Sequence, residues 1–351
     1  MINLSRSREA SPAIHEMSSD PGVNWDKWPT VAIEAAPDDD ASPHPESRWA
    51  PEAIRTGVCG SVSPRVVVLP GGRYRMYYSQ LLPRPGFPAG ANDYDNAMSR
   101  ILSAVSEDGL TWSPEPGVRL GPQQGGAGDF RVVSSEVVPL SDGSGRLRMY
   151  YECCRGSQTT RNSINSALSD DEGLKWQVET GERLGLEDAN LSGPRIVYLE
   201  DGRCRLYVSR RGTGIISAIS SDGGTTFEIE PGVRIAQSPP LTAHAAFAPE
   251  IIRRGPSDYR MYFAAYSTAE RTDILTAESA DGLDWTIQAE PVLSPGGGGW
   301  DDAKSSEMCV FELPDSTVET PRFAMVYEGC DGTAVGVRGV WRVVCAVSAP
   351  R

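Results

Sequence analysis

A strand-like motif recurs five times along the chain: RYRMYYS from Arg73, RLRMYYE from Arg146, RCRLYVS from Arg203, DYRMYFA from Asp258 and RFAMVYE from Arg322. A fixed repeat marks stacked supersecondary units, each of which needs its neighbours to bury its apolar face. Every copy alternates apolar with polar residues at period two and is rich in Tyr and Met, as a strand packed between sheets requires.

The flanking segments repeat with it. Ahead of each copy lies an apolar run: SPRVVVL from Ser63, SSEVVPL from Ser134, GPRIVYL from Gly193, APEIIRR from Ala248 and SSEMCVF from Ser305. Behind each comes a third strand, ending at Ser106, Ser169, Ser220, Ser279 and Ser348. Four of these continue through an Asp/Gly turn to Trp112, Trp176, Phe227 and Trp285, then into a last strand such as PGVRL. Asp and Gly tolerate the positive φ that such tight turns need. Four antiparallel strands in each of five units predict an all-β fold, a five-bladed β-propeller.

The fifth unit reaches Arg351 before its turn and last strand, and SSDPGVNW from Ser18 followed by KWPTVAI supplies both. The ring is therefore expected to be closed by the N-terminal segment, which removes an exposed sheet edge. Residues 1–351 form one propeller domain on this reading, with 18–35 completing the last blade and 1–17 flexible. The Pro- and Gly-rich loop from Leu82 to Asn96 and the stretch 36–56 are expected to extend over one face, as a gate or as plain connections.

A formal net charge of -14 argues against a nucleic-acid partner, whose phosphates demand clustered Lys and Arg. No run of 18 apolar residues and no secretory-type apolar segment is present, so neither a membrane partner nor export is expected and the location is read as cytoplasmic. The seven cysteines form no CxxC pair and are odd in number, which suits buried thiols better than a disulfide framework or a zinc ribbon.

Aligning the inner strands by sequence places Arg65, Glu136, Arg195, Glu250 and Glu307 at one position just past each strand start. Units two and five also share Ser-Ser-Glu (ending at Glu136 and Glu307) and Tyr-Glu (ending at Glu152 and Glu328). If the chain cleaves a glycosidic bond, two carboxyl groups must flank that bond. Glu136 and Glu307 are then the candidate acid/base pair, with Glu250 a third candidate catalytic carboxyl. Arg65 and Arg195 would bind substrate by bidentate hydrogen bonds, with Glu152 and Glu328 nearby. The alternative is that these Glu and Arg residues pair with one another as a structural belt.

His244 is the only histidine within the repeats and precedes an inner strand, which makes it a candidate substrate contact or a loop residue. His15 and His44 lie in polar N-terminal segments, and a three-histidine zinc site is not expected. In GGGGWDDAKSS from Gly296, Trp300 is suited to stacking on a sugar face and Asp302, beside Asp301, to binding hydroxyls; a plain solvent loop is the alternative. The stretch is not a phosphate loop, since Lys304 follows Ala303 and no helix follows.

The turns at Ser18, Ser169 and Ser220 fit S-x-D-x-G-x-x-W/F and resemble the Asp box of sialidases. With five units rather than six, the chain resembles the five-bladed furanosidase superfamily, which includes family-43 arabinanases and xylosidases, invertases and levansucrases. The resemblance implies a glycoside hydrolase acting on a sugar or glycoside in a central pocket, with carboxylates at the inner-strand starts. Its Asp-Pro position reads Ser63-Pro64 here, its A-P-D motif is similar to Ala248-Pro249-Glu250, and its E-G-P motif reads Ser192-Gly193-Pro194. Serine at two of the three carboxylate positions leaves open a non-hydrolytic propeller, either a small-molecule enzyme of secondary metabolism or a carbohydrate-binding module. Some members hold calcium in the central channel; no ligand spacing here demands a metal, and no cofactor is expected.

Overall fold

The computed structural model describes residues 19–34, 60–82, 98–122, 131–154, 161–268, 270–297, 299–317, 319–332 and 340–349, together with Met17 and Gly128. His15, His44, Cys59, the segment 36–56, residues 83–96 and nearly all of 1–17 lie outside the described residues.

Every regular element among the described residues is a strand. After β1 (Trp25–Ile33) come β2 (Gly60–Val68), β3 (Tyr74–Leu82), β4 (Met98–Ser106) and β5 (Ser113–Pro114), then β6 (Arg131–Pro139), β7 (Leu147–Cys154), β8 (Asn162–Ser169) and β9 (Gln177–Val178). A third run holds β10 (Leu191–Tyr198), β11 (Cys204–Arg210), β12 (Gly214–Ser220), β13 (Glu228–Ile229) and β14 (Ile235–Ala236). The last elements are β15 (Ala245–Gly255), β16 (Asp258–Tyr266), β17 (Thr272–Ser279), β18 (Thr286–Leu293), β19 (Lys304–Glu312), β20 (Phe323–Cys330) and β21 (Trp341–Ser348).

Within each run, consecutive strands pair antiparallel. The groups starting at β2, β6 and β15 each form a meander, and the group starting at β10 ends with β13 and β14 both on β12. The group starting at β19 takes its outer strand from the far end of the chain: β1 pairs antiparallel with β21, Trp25 opposite Ser348 and Ile33 opposite Val343. The N-terminal segment thus covers an edge that would otherwise expose unpaired N–H and C=O groups.

The period-two pattern explains the core, because alternate side chains leave opposite faces of each sheet. Each apolar layer lies between successive groups. One packs Val67 and Tyr77 against Val137 and Met149, and another packs Val66 and Tyr74 of the first group against Ile33, Phe311 and Val326 of the last.

Turn aromatics add edge-on contacts to the preceding group: Trp176 on Tyr77, Phe227 on Tyr150, Trp285 on Tyr207 and Trp25 on Tyr262. The same four tyrosines donate their hydroxyls to the turn carbonyls of Gly173, Gly224, Gly282 and Gly22. Ser and Asp side chains hold the Gly173, Gly224 and Gly282 turns from within. Asp222 accepts the N–H groups of Thr225 and Thr226, and Ser220 accepts that of Gly224.

Candidate active site

In every inner strand the pairing with its neighbour slips near the strand start: between Val62 and Arg65, Val133 and Glu136, Ser192 and Arg195, Phe247 and Glu250, and Ser306 and Met308, with a second slip further along β15 between Arg253 and Gly255. Such a bulge inserts a residue in an unusual backbone conformation and re-aims the side chains around it. The residue is Ser63 (φ 54°), Ser134 (φ 53°), Gly193 (φ 60°), Ala248 (φ 50°) and Glu307 (φ 21°). Four of the five are not glycine, at a cost of about 1–3 kcal/mol each, and strain of this kind clusters at functional sites. The packing is close here, since a Cβ on Gly193 would lie 3.3 Å from the Ala248 Cα.

This register corrects the sequence alignment of the fifth inner strand. Arg65, Glu136, Arg195 and Glu250 stand opposite Tyr77, Tyr150, Tyr207 and Tyr262. The fifth counterpart of those tyrosines is Val326, and the residue opposite it is Cys309. Glu307 lies two residues earlier, at the counterpart of Ser63 and Ser134. The shared Ser-Ser-Glu string had masked this offset.

The aligned residues form a closed belt. Arg65 Nε lies 2.6 Å from Glu136 Oε2, and its Nη1 lies 2.6 Å from Glu250 Oε2, with Arg195 Nε 3.2 Å from the same oxygen. Glu136 also accepts the Ile196 N–H at 3.1 Å, Glu250 the Val310 N–H at 3.1 Å, and the Cys309 sulfur the Val66 N–H at 3.4 Å. Each acceptor therefore ties its strand to the next inner strand. Burial pushes the Cys309 thiol up to about 12, so it stays neutral. All four charged side chains are at most 1% exposed. Two guanidiniums and two carboxylates cancel, which is the structural alternative foreseen for Arg65, Arg195, Glu136 and Glu250.

Glu307 and Glu328 are placed differently. Both are buried, and among the described residues neither lies in an ion pair within 4 Å. The Ser134 hydroxyl donates to the Glu307 carboxyl at 3.3 Å and is 3.1 Å from the Ser63 hydroxyl. Glu328 Oε2 accepts the Ser63 N–H at 3.1 Å. Burial raises the Glu328 pKa well above the usual carboxylate range, and the neighbouring Glu307 charge raises it further. Burial also raises that of Glu307, opposed by the Ser63 and Ser134 hydroxyls and the positive charge of Arg195. Two neighbouring buried carboxyls favour a state in which only one of them is ionised.

Around them stand residues that the sequence did not single out. The Tyr266 hydroxyl is 3.0 Å from Ser306 Oγ, and Lys304 Nζ lies 5.7 Å from the Tyr266 ring centre and 5.5 Å from that of Trp341. Burial lowers the Lys304 pKa. His244 is exposed, with its N–H donating to the Tyr266 carbonyl and its ring 6.3 Å from the Tyr266 ring.

Glu152, the partner of Glu328 in the sequence comparison, is bound by Arg131 at 3.2 Å and Asn162 at 2.7 Å. Asp302 is exposed, whereas Asp301 is buried. Trp300 lines a cavity under β1, on the face of β20 opposite to Glu328.

The axial residues do not fit the calcium that the resemblance allows. Calcium takes six to eight oxygens, but Glu307 and Glu328 bring two carboxyl groups, both with raised pKa, and two serine hydroxyls, beside a belt holding two guanidiniums. Among the described residues no three His, Cys, Asp or Glu side chains cluster as a metal site.

No sequence-family model and no curated protein matches the chain. Solved structures do. A protein described as a glycoside hydrolase is 14% identical over 93% of both chains with a TM-score of 0.66. The endo-arabinase from Bacteroides thetaiotaomicron is 15% identical over 86% of this chain and 98% of its own, with a TM-score of 0.60. A thermostable family-43 glycoside hydrolase is 17% identical over 84% and 90%, with a TM-score of 0.59. In fold, the chain resembles a family-43 glycoside hydrolase, an endo-arabinase and related glycoside hydrolases.

Proposed function

We propose that the strand groups are the blades of a five-bladed propeller closed by the N-terminal segment, and that the protein is a glycoside-hydrolase-like enzyme acting on a sugar or glycoside in the central pocket. One observation carries this proposal: Glu307, at the fifth inner-strand bulge and bound by the Ser134 hydroxyl, and Glu328, bound by the Ser63 N–H, are two buried carboxyls outside the Arg belt. Glycosidic cleavage needs one carboxyl to protonate the leaving oxygen and another, ionised, to activate water or attack the sugar carbon. Glu328, with the more strongly raised pKa, serves as the acid. Glu307, whose ionised form is stabilised by two serine hydroxyls and the Arg195 field, serves as base or nucleophile. The Ser63 position, where the resemblance implies an Asp, is thereby served by a carboxyl entering from the fifth inner strand and hydrogen-bonded to Ser134 beside it.

The test is turnover of an aryl-glycoside panel by the wild-type protein and by Glu307→Gln and Glu328→Gln, each checked for folding. Loss of at least about 10²-fold in either variant is expected, the lower range for a positioned acid or base. Undiminished turnover in both folded variants would refute the assignment. The non-hydrolytic alternative is favoured by Ser63 and Ser192 and by the locking of Glu136 and Glu250 in the belt. Saturable sugar binding with no turnover across the panel would decide for it.

A further inference from the structure

We infer that the cavity between β1 and the glycine-rich loop before β19 is a second binding site, separate from the axial carboxyls, that takes a single uncharged sugar ring. The cavity measures about 280 Å³ and is lined by Lys27, Trp28, Gly297, Trp300, Asp301 and Tyr327 among others. Ligand pockets begin near 300 Å³, so this one suits one ring rather than a chain.

Its polar groups are held in place. The Asp301 carboxylate, 2% exposed, accepts from Ser305 Oγ at 3.0 Å and from the Tyr327 hydroxyl at 2.9 Å, and meets Lys27 Nζ at 2.6 Å. Lys27 also donates to the Gly296 carbonyl. An ammonium has three N–H donors, and among the described residues these two contacts leave one for a ligand.

The chemistry of the lining selects the ligand. Lys27 and Asp301 cancel in charge, so an ionic ligand gains nothing from them that it would not lose to desolvation. A donor beside a fixed carboxylate matches hydroxyls, which both give and accept hydrogen bonds. Two indoles match the C–H face of a sugar ring. Gly296 and Gly297 have φ of 108° and 85°, and a Cβ on either would meet nothing within 4 Å. The conformation requires glycine there, and the loop presents bare backbone as the cavity wall.

This site does not depend on the glycosidase proposal. Tyr327 and Glu328 are consecutive residues of β20, so their side chains leave opposite faces of the blade.

The test uses the full chain, with saturation-transfer NMR on D-galactose, D-glucose, D-xylose, L-arabinose, D-glucuronate and D-glucosamine. The comparison set is wild type, Trp300→Ala, Lys27→Met and Glu328→Gln, with folding checked by circular dichroism. At least one neutral sugar is expected to bind wild type and Glu328→Gln alike, and about tenfold or more weakly to the other two variants. Should Trp300→Ala fail to fold, Lys27→Met decides alone. No binding of any neutral sugar, binding of the charged sugars only, or binding abolished by Glu328→Gln and retained in Lys27→Met would each overturn the inference.

Discussion

Replacing Arg65 with methionine separates the belt from the carboxyl pair as sources of stability and activity. In the native protein Arg65 holds both Glu136 and Glu250 at 2.6 Å. The variant leaves Glu250 its second cation, Arg195 at 3.2 Å, while Glu136 loses its guanidinium and keeps the Ile196 N–H. Removing one partner of a buried pair costs about 3–5 kcal/mol, because a charge is left desolvated without compensation. With one of two carboxylates still paired and methionine filling much of the aliphatic volume, about 3 kcal/mol is expected. For a chain of this size that is about 3–6 °C in Tm, extrapolating the trend in which each kcal/mol shifts larger domains less.

Glu136→Gln in the Arg65→Met background removes the stranded charge and keeps an oxygen for the Ile196 N–H. It should restore at least about 1 kcal/mol, a coupling normal for residues in direct contact. Thermal unfolding followed by circular dichroism, with all four members of the cycle, measures this. An Arg65→Met protein as stable as wild type, or a double variant showing simple additivity, would refute the belt. With Glu307 and Glu328 as the proposed catalytic pair, Glu136→Gln alone should retain the turnover of its folded fraction; loss of that turnover would return Glu136 to the candidate catalytic set.

Other perturbations probe the dyad, the seam and the turns. Glu307 and Glu328 have folded pKa values raised above the unfolded value of about 4.3, so their contribution to stability is complete below that pH and is lost as pH rises towards the folded values. Glu328→Gln should therefore exceed wild type in Tm by a margin that grows from about pH 5 to pH 8; a margin independent of pH counts against the raised pair. The turn aspartates Asp108, Asp171, Asp222 and Asp281 have lowered values and act in the opposite sense, losing their stabilisation as pH falls below about 4. Deleting residues 1–35 removes β1 from β21 and Trp25 from Tyr262; aggregation is expected by light scattering, and a soluble, cooperatively folding truncation would contradict the closure. Tyr207→Phe strips the hydrogen bond to the Gly282 carbonyl and should cost about 1 kcal/mol in denaturant unfolding.

The strand repeat and the turns were legible because period-two burial and Asp/Gly chemistry act locally, and both leave residues at fixed spacing. The Arg–Glu clamps follow the same spacing, though only the structure pairs them. Arg75, Arg148 and Arg205 each stand two residues before a tyrosine and reach Glu115, Glu179 and Glu230 at 2.7, 2.9 and 2.8 Å. What the string could not carry is bulge register. Ser-Ser-Glu occurs twice, yet Glu136 falls beyond its left-handed residue and Glu307 is the left-handed residue, so identical letters enter different tiers. The same limit applied to Asp301 and Asp302, adjacent acids of which the fold buries only the first.

The departures from the repeat fall on one group of strands. Four middle strands carry a clamping arginine, Arg75, Arg148, Arg205 and Arg260, where the fifth has Ala324. Four carry a turn-capping tyrosine where the fifth has Val326. Four belt positions are charged where the fifth is Cys309, and four left-handed positions hold Ser, Gly or Ala where the fifth is Glu307. A repeat fold needs the same local solutions in each unit, and a unit that abandons several of them gives up stability that must be supplied elsewhere. Here β1 supplies part of it, by pairing with β21 and sending Lys27 to Asp301. The unit completed from both ends of the chain also holds Glu307, Glu328 and the Trp300 cavity. That coincidence is the physical reason to look for chemistry in the fifth unit rather than at the inner-strand positions Ser63 and Ser192 of the first and third units that the superfamily resemblance implies.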